Sequence, residues 1–538
     1  MRRNVRFAPW LFAGFLVVCP LRGQTQGIDE LLQKANIDQA SGNYADAADL
    51  YARMAHLSPG TAELWSNRGV MEYLAGRTDD AVASLRHALQ LNPSLFTPVL
   101  FLGKAYNQAG KPALAFPYLS RANTLHPNDP EALLTLAKTT ADLQRPREAR
   151  LLYANAVHLA PEIPGAWLGL GVTSLEVITA DGGALAASHP QSVWARALYA
   201  DELLAQGRPI EATDTYKVAS VAASPVQRST LARMLQWMQF HPDLYPLTSN
   251  SQEALQPLRA QIESEQGKTE SPECPDLSEP DTSSAQVAGV TGLLQRAACA
   301  YWKGDYEQSA EPAAQALRLS PQNAEALYWS VKANERIAVA ALARFEQLAP
   351  HSAASYVMVG DLFRQQRQPD SALEEYKKAL MIDAHDPAAL AGAVAAAISA
   401  QKLDEAQATA EIALIDRPLD PQLNLFMAEI LAQNNQYDQM RPFLAKCLGG
   451  PPQLQFRVHF LLGRADQEDG KPEDAIRQFE LALPGDTDGS IHYQLLRLYR
   501  KTGHLAEAQK AEAETKALIK RRDANAAVVV REALGRSQ

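Results

Sequence analysis

Between Ala62 and Pro93, counting Ala62 as position 1, large apolar residues stand at positions 4, 24 and 30 (Trp65, Leu85, Leu91) and small ones at 8, 20 and 27 (Gly69, Ala81, Ala88). Gly76 falls at position 15 and Pro93 at 32. This spacing follows the period of two amphipathic helices and predicts helix A from about Glu63 to Leu74, a left-handed cap at Gly76, helix B to Leu91 and a stop at Pro93. The pattern then recurs. Pro59, Pro93, Pro127 and Pro161 are each 34 residues apart, as are Ala47, Ala81, Ala115 and Ala149, and Gly42, Gly76 and Gly110.

A 34-residue helix-turn-helix period with these residues at these offsets resembles the tetratricopeptide-repeat family. The resemblance covers most of the chain and implies an all-α fold: an α-solenoid of about thirteen helix-turn-helix repeats, wound as a right-handed superhelix in two segments. Repeat 5 starts in register with Trp167, Leu170 and Gly171 and then departs, because Asp181, Gly182 and Gly183 predict a loop and a short second helix ending by Pro190. Repeats 5 and 6 begin at 164 and 193, a step of 29, and repeats 8 and 9 begin at 324 and 353, again a step of 29. Starts at 130, 164 and 193 are matched by starts at 290, 324 and 353, each 160 later, which predicts that a block of about 130–246 was duplicated as 290–406. The domain layout that follows is an N-terminal segment, 24–246, a linker, 247–289, a C-terminal segment, 290–522, ending in a long polar capping helix, and a tail, 523–538. The linker is acidic and rich in Pro and Ser: its Ser251–Ala285 part holds eight acidic residues, two basic ones and four prolines, the composition of a solvated tether.

A solenoid has no single core to outgrow, so 538 residues do not demand three or four domains. A formal charge of −10 opposes nonspecific binding to nucleic acid or anionic lipid. Arg2, Arg3 and Arg6 precede the apolar run Leu11–Val18, followed by Cys19, Pro20 and Gly23. That order predicts a secretory signal, residues 1–23, cleaved near Gly23–Gln24, and hence a periplasmic or secreted protein with no membrane span left after cleavage. An uncleaved anchor fits less well, since the run is well short of the ~20 residues that cross a bilayer, and Val18 before Cys19 argues against a lipoprotein signal. Three cysteines survive cleavage. Cys447 sits at position 27, a small packing position, while Cys274 in the linker and Cys299 in the next helix are a candidate disulfide in an oxidising compartment.

In the family it resembles, helix A lines a concave groove that takes extended peptides or partner helices through positions 2, 5, 6, 9, 12 and 13. One version clamps a C-terminal carboxylate; here Asn36 and Asn67 match its asparagines, but Leu32, Thr97 and Phe101 replace its basic residues, so that clamp is excluded. Two strips remain at groove positions: a polar one (Asn36, Asn67, Lys104, Asn107, Lys138) and a basic one (Arg464, Arg497, Lys501). An acidic peptide or terminal carboxylate fits either through charge-assisted hydrogen bonds, against the alternative of an ordinary solvated face. Gly-rich phosphate loops, HExxH, CxxC and the serine elbow are all missing, and His126, His158, His189 and His241 are scattered. No catalytic residue, metal site or cofactor is expected, and aromatic-interleaved basic stripes for nucleic acid are sparse. The reading is a noncatalytic protein-protein interaction scaffold in the cell envelope, of unassigned oligomeric state. The alternative is a glycan-binding or regulatory subunit of a cell-wall or secretion enzyme complex, with exposed aromatics along the groove.

Overall fold

The computed structural model describes residues 24–240, Gln256, Cys274 and 289–535. The signal segment and most of the linker lie outside the described residues. The first helices are α1 (Gln24–Ala40), α2 (Tyr44–Leu57), α3 (Ala62–Leu74), α4 (Thr78–Leu91), α5 (Phe96–Gln108) and α6 (Pro112–Leu125). Next come α7 (Pro130–Asp142), α8 (Pro146–Leu159), α9 (Pro164–Ser188), α10 (Val193–Ala205), α11 (Pro209–Ala222) and α12 (Pro225–Phe240). After the linker follow α13 (Val290–Trp302), α14 (Tyr306–Leu319), α15 (Ala324–Leu348), α16 (Ala353–Gln365), α17 (Pro369–Ile382), α18 (Pro387–Ser399) and α19 (Leu403–Asp416). The last are α20 (Pro421–Gln433), α21 (Tyr437–Cys447), α22 (Pro452–Glu468), α23 (Pro472–Ala482), α24 (Ser490–Thr502) and α25 (Leu505–Gly535). Among the described residues the chain is an all-α solenoid of helix-turn-helix repeats. Its final helix runs on to Gly535 rather than ending near Arg522.

Each A-to-B turn is made the same way. The residue at position 15 takes the left-handed conformation: φ is 79° at Gly42, 77° at Gly76 and 67° at Gly110. Repeats without glycine keep that geometry, with φ of 58° at Gln144, 58° at Arg367, 60° at Gln401 and 57° at Asn435. The turn is therefore imposed by helix packing, and glycine only lowers its cost.

Repeats 5 and 8 differ from the sequence expectation. Asp181, Gly182 and Gly183 make no turn; α9 is one continuous helix of 25 residues, and so is α15. The five missing residues take the left-handed position with them, so helices A and B fuse. Asp181, far from a loop, is completely buried.

The duplication is visible in the helix bounds. α7, α8, α9, α10 and α11 begin at 130, 146, 164, 193 and 209, and α13 to α17 begin 160 residues later at 290, 306, 324, 353 and 369. Their ends keep the same offset. Local contacts are copied too. The Ser192 and Ser352 hydroxyls each accept the amide three residues on, at 3.1 Å, and the Tyr216 and Tyr376 hydroxyls donate to Asp201 and Asp361.

The described residues form two compact units, divided between Leu348 and Ala349. The division falls after α15 rather than in the 247–289 linker, because α9 and α15 pack along their length and tie the start of the second copy to the first. Cys274 is disulfide-bonded to Cys299, whose side chain is buried on α13, with a Cα–Cα distance of 5.5 Å. Cys447 is free and fully buried, and burial pushes its thiol up to about 11.

Glu325, in the first turn of α15, accepts from the Trp329 indole (3.4 Å), and burial lifts its carboxyl to about 6 from 4.5. An acid whose folded pKa is raised opposes folding when ionised, so its unfavourable contribution fades as pH falls through 6 towards 4.5. Glu325→Gln is expected to raise stability at pH 7 by roughly 1–2 kcal/mol and to flatten the pH dependence between 7 and 5. Urea titrations at three pH values check this; a variant less stable at pH 7 would sink it.

Candidate functional site

The helix A faces can be compared repeat by repeat through one recurring contact: position 9 of a repeat meets position 2 of the next. In the first unit this joins Lys104 Nζ to Glu131 Oε1 at 2.5 Å. In the second, Arg457 Nε donates to Glu429 Oε1 at 2.7 Å, with the acid now at position 9. Groove residues are therefore read in pairs 27 or 28 apart in sequence.

In the first unit Asn36 is exposed and Asn67 half-buried. Lys104, beyond its pair with Glu131, lies 4.7 Å from the Phe101 ring centroid and 5.6 Å from that of Tyr73, a cation–π seat. Asn107 Nδ2 donates to Thr139 Oγ1 at 2.7 Å, bridging α5 to α7. Lys138 is exposed, and one turn on stands Asp142, whose carboxyl is raised by burial and held back by Lys138. Glu176, at position 13 of the following repeat, is raised by burial and then by Asp142. Tyr153 beside them is pushed up to about 12, by burial first and then by both acids. The polar strip is thus neutral to acidic: its lysines have carboxylates at hand. Sequence reasoning missed Glu131, Asp142 and Glu176, though their positions 2 and 13 were readable.

The second unit differs. Arg464, half-buried on α22, donates from Nη2 to the Tyr437 hydroxyl at 2.5 Å, with its guanidinium 5.4 Å from that ring's centroid. At position 2 of the next repeat stands Ser490, not an acid. Arg497 and Lys501 lie one turn apart on α24, and both are exposed. Neither forms an ion pair among the described residues, while their neighbour Arg500 is engaged by Glu512 at 2.6 Å. Tyr437, at the start of α21, is the residue here that the sequence reading missed. Its signal was its place at the start of the preceding repeat's second helix, 27 residues before Arg464.

Among the described residues no group of three His, Cys, Asp or Glu is placed to hold a metal ion, and no helix is long and apolar enough to cross a membrane.

Residues 32–95 and 363–430, one stretch in each unit, match the tetratricopeptide repeat. Both stretches are tetratricopeptide repeats. Solved structures similar to it include MamA 41-end from Desulfovibrio magneticus RS-1, 20% identical over 32% of this chain and 97% of that one, with a TM-score of 0.29. YrrB, a TPR protein with an unusual peptide-binding site, is 23% identical over 28% of this chain and 81% of its own, with a TM-score of 0.26. A thermophilic TPR protein from Thermus thermophilus, TTC0263, is 18% identical over 33% and 99%, with a TM-score of 0.27. The comparison with curated proteins found no match. Tetratricopeptide repeats in both units support a protein-protein interaction scaffold.

Proposed function

We propose that this scaffold is an exported, noncatalytic adaptor that holds an acidic peptide segment against the helix A face of its last repeats. One observation carries the reading: Arg464, Arg497 and Lys501 have no carboxylate partner among the described residues, whereas Lys104 and Lys138 in the first unit each have an acid at hand. Cations on a repeat face that pair with no carboxylate of their own give an incoming carboxylate charge-assisted hydrogen bonds that the rest of the groove has already used internally. Export rests on the basic, apolar and small-residue order of residues 1–23, and the Cys274–Cys299 bond suits an oxidising compartment. The cell envelope is the setting these two features favour.

The test is fluorescence anisotropy with labelled Glu- and Asp-rich peptides against the mature chain and its Arg464→Ala/Arg497→Ala/Lys501→Ala variant. Affinity is expected to fall at least about tenfold in the variant, or about 1.4 kcal/mol, and to weaken with salt in the parent. Equal binding by both proteins would move the site elsewhere; stronger binding of purified wall glycan than of any peptide would favour the glycan-binding alternative.

A further inference from the structure

In ordinary repeats of this chain, position 8 of helix A packs under position 24 of the same repeat. A Cβ added to Gly69 would fall 2.5 Å from Leu85 Cγ, and one on Gly103 would fall 2.4 Å from Leu119 Cγ. The same spacing of sixteen joins Gly360 to Tyr376 and Gly463 to Phe479. Repeat 5 breaks the rule. Its position 8 is Gly171, and the side chain over it, 2.6 Å from such a Cβ, is Leu342 of α15. Counting back from the start of repeat 9, Leu342 is position 24 of repeat 8. The reciprocal contact is also present: a Cβ added to Gly182, position 24 of repeat 5, would fall 3.9 Å from Val331 Cγ2, position 8 of repeat 8. Since α9 is one straight helix, Gly171 and Gly182 are about 16 Å apart along its axis and cannot meet. Each fused helix therefore completes the other's repeat, an exchange of second helices between the two copies.

The exchanged pairs are matched in size and charge. Glycine at 8 in the first copy meets leucine at 24 in the second; valine at 8 in the second meets glycine at 24 in the first. Ser330 Oγ donates to the buried Asp181 Oδ2 at 2.6 Å, and Arg147 pairs with the same carboxylate. Arg150, 3% exposed, donates to Glu307 on α14 at 2.9 Å. Subtracting 160 from Glu307 gives Arg147, and from Ser330 gives Leu170.

We infer that the α9–α15 joint is a selective pairing surface whose partner is the other copy of the duplicated block, and that it rejects a copy of its own kind. Two first-copy blocks would set Gly171 over Gly182, leaving a void, Arg150 against Arg147, and buried Asp181 against Leu170. Two second-copy blocks would crowd Val331 against Leu342 and leave Glu307 facing Ala310, its only counterpart to Arg150. Discrimination of this kind needs repulsion in the wrong pair as well as attraction in the right one. A second chain is admitted only crosswise, α9 of one on α15 of the other.

The experiment uses the full chain with a protease site inserted between Gln266 and Pro272, upstream of Cys274, so that cleavage leaves the disulfide within the second fragment. Native mass spectrometry of the cleaved protein is expected to show one fragment of each kind bound together, with neither fragment paired with itself. Gly171→Leu is expected to speed fragment dissociation at least tenfold, and Gly171→Leu/Leu342→Gly to recover most of it. A charge pair guards against loss of folding: Glu307→Arg alone weakens the complex, and Arg150→Glu/Glu307→Arg restores it. Fragments that separate on cleavage, self-paired fragments, or double variants no tighter than the singles would overturn the inference.

Discussion

Replacing Lys332 with alanine is expected to destabilise the first unit by about 3–5 kcal/mol, the cost of stranding a buried charge. Lys332 is on α15 with its side chain 1% exposed, and its ammonium lies 2.8 Å from Asp201 Oδ2 on α10 and 2.9 Å from Glu335 Oε2. Asp201 is itself 5% exposed and also accepts the Tyr216 hydroxyl, whose pKa is driven well up, by burial first and then by Asp201. Without the lysine, the Asp201 carboxylate keeps one neutral donor in a site closed to water. Lys332→Met/Asp201→Leu removes both charges and is expected to lie within about 1 kcal/mol of the parent or above it. Urea unfolding followed by tryptophan fluorescence measures all three proteins; a loss below about 1 kcal/mol in Lys332→Ala would mean that water reaches Asp201. The first copy has nothing comparable: the residue 160 before Lys332 is Val172, 42% exposed.

The repeat period and the duplication were legible because both rest on steric rules that act locally. A left-handed position 15, a small residue at 8 or 20 and a proline after helix B leave marks at fixed spacing. The fused helices were not legible by the same marks. Asp181-Gly182-Gly183 carries the composition of a turn, yet register counted back from repeat 6 places these residues at positions 23 to 25, inside helix B. Glycine within a helix costs only about 1 kcal/mol, and here Gly182 accommodates Val331 from the other copy, a contact no local window contains. The candidate groove failed differently. Lys104 reads as a free cation when helix A is taken alone, and becomes half of an ion pair only when position 2 of the following repeat is set beside it. The Cys274–Cys299 bond and the compact boundary after Leu348 depend on tertiary packing, which periodicity does not encode.

Trp329→Ala is expected to cost about 3–5 kcal/mol, and the loss is expected to be local. Trp329 is fully buried on α15. Its ring centroid lies 6.4 Å from that of Trp194 on α10, 5.6 Å and 5.7 Å from those of Tyr301 and Trp302 on α13, and 5.1 Å from that of Tyr328. Each neighbour loses an aromatic face at once, and the surrounding rings are too rigid to collapse into the space. These rings come from both copies, so the cavity opens where the first copy's α10 meets the second copy's α13 and α15. In a solenoid a repeat transmits strain only through its neighbours, and helices several repeats away keep their own contacts. Hydrogen exchange read by mass spectrometry should therefore show faster exchange in α10, α13 and α15 while α1 to α6 stay as protected as in the parent. Phe at the same position keeps a ring and is expected to restore part of that protection. Exchange accelerated evenly from α1 to α15 would show instead that the first unit opens as one cooperative body, and that the aromatic cluster where the copies meet supports all of it.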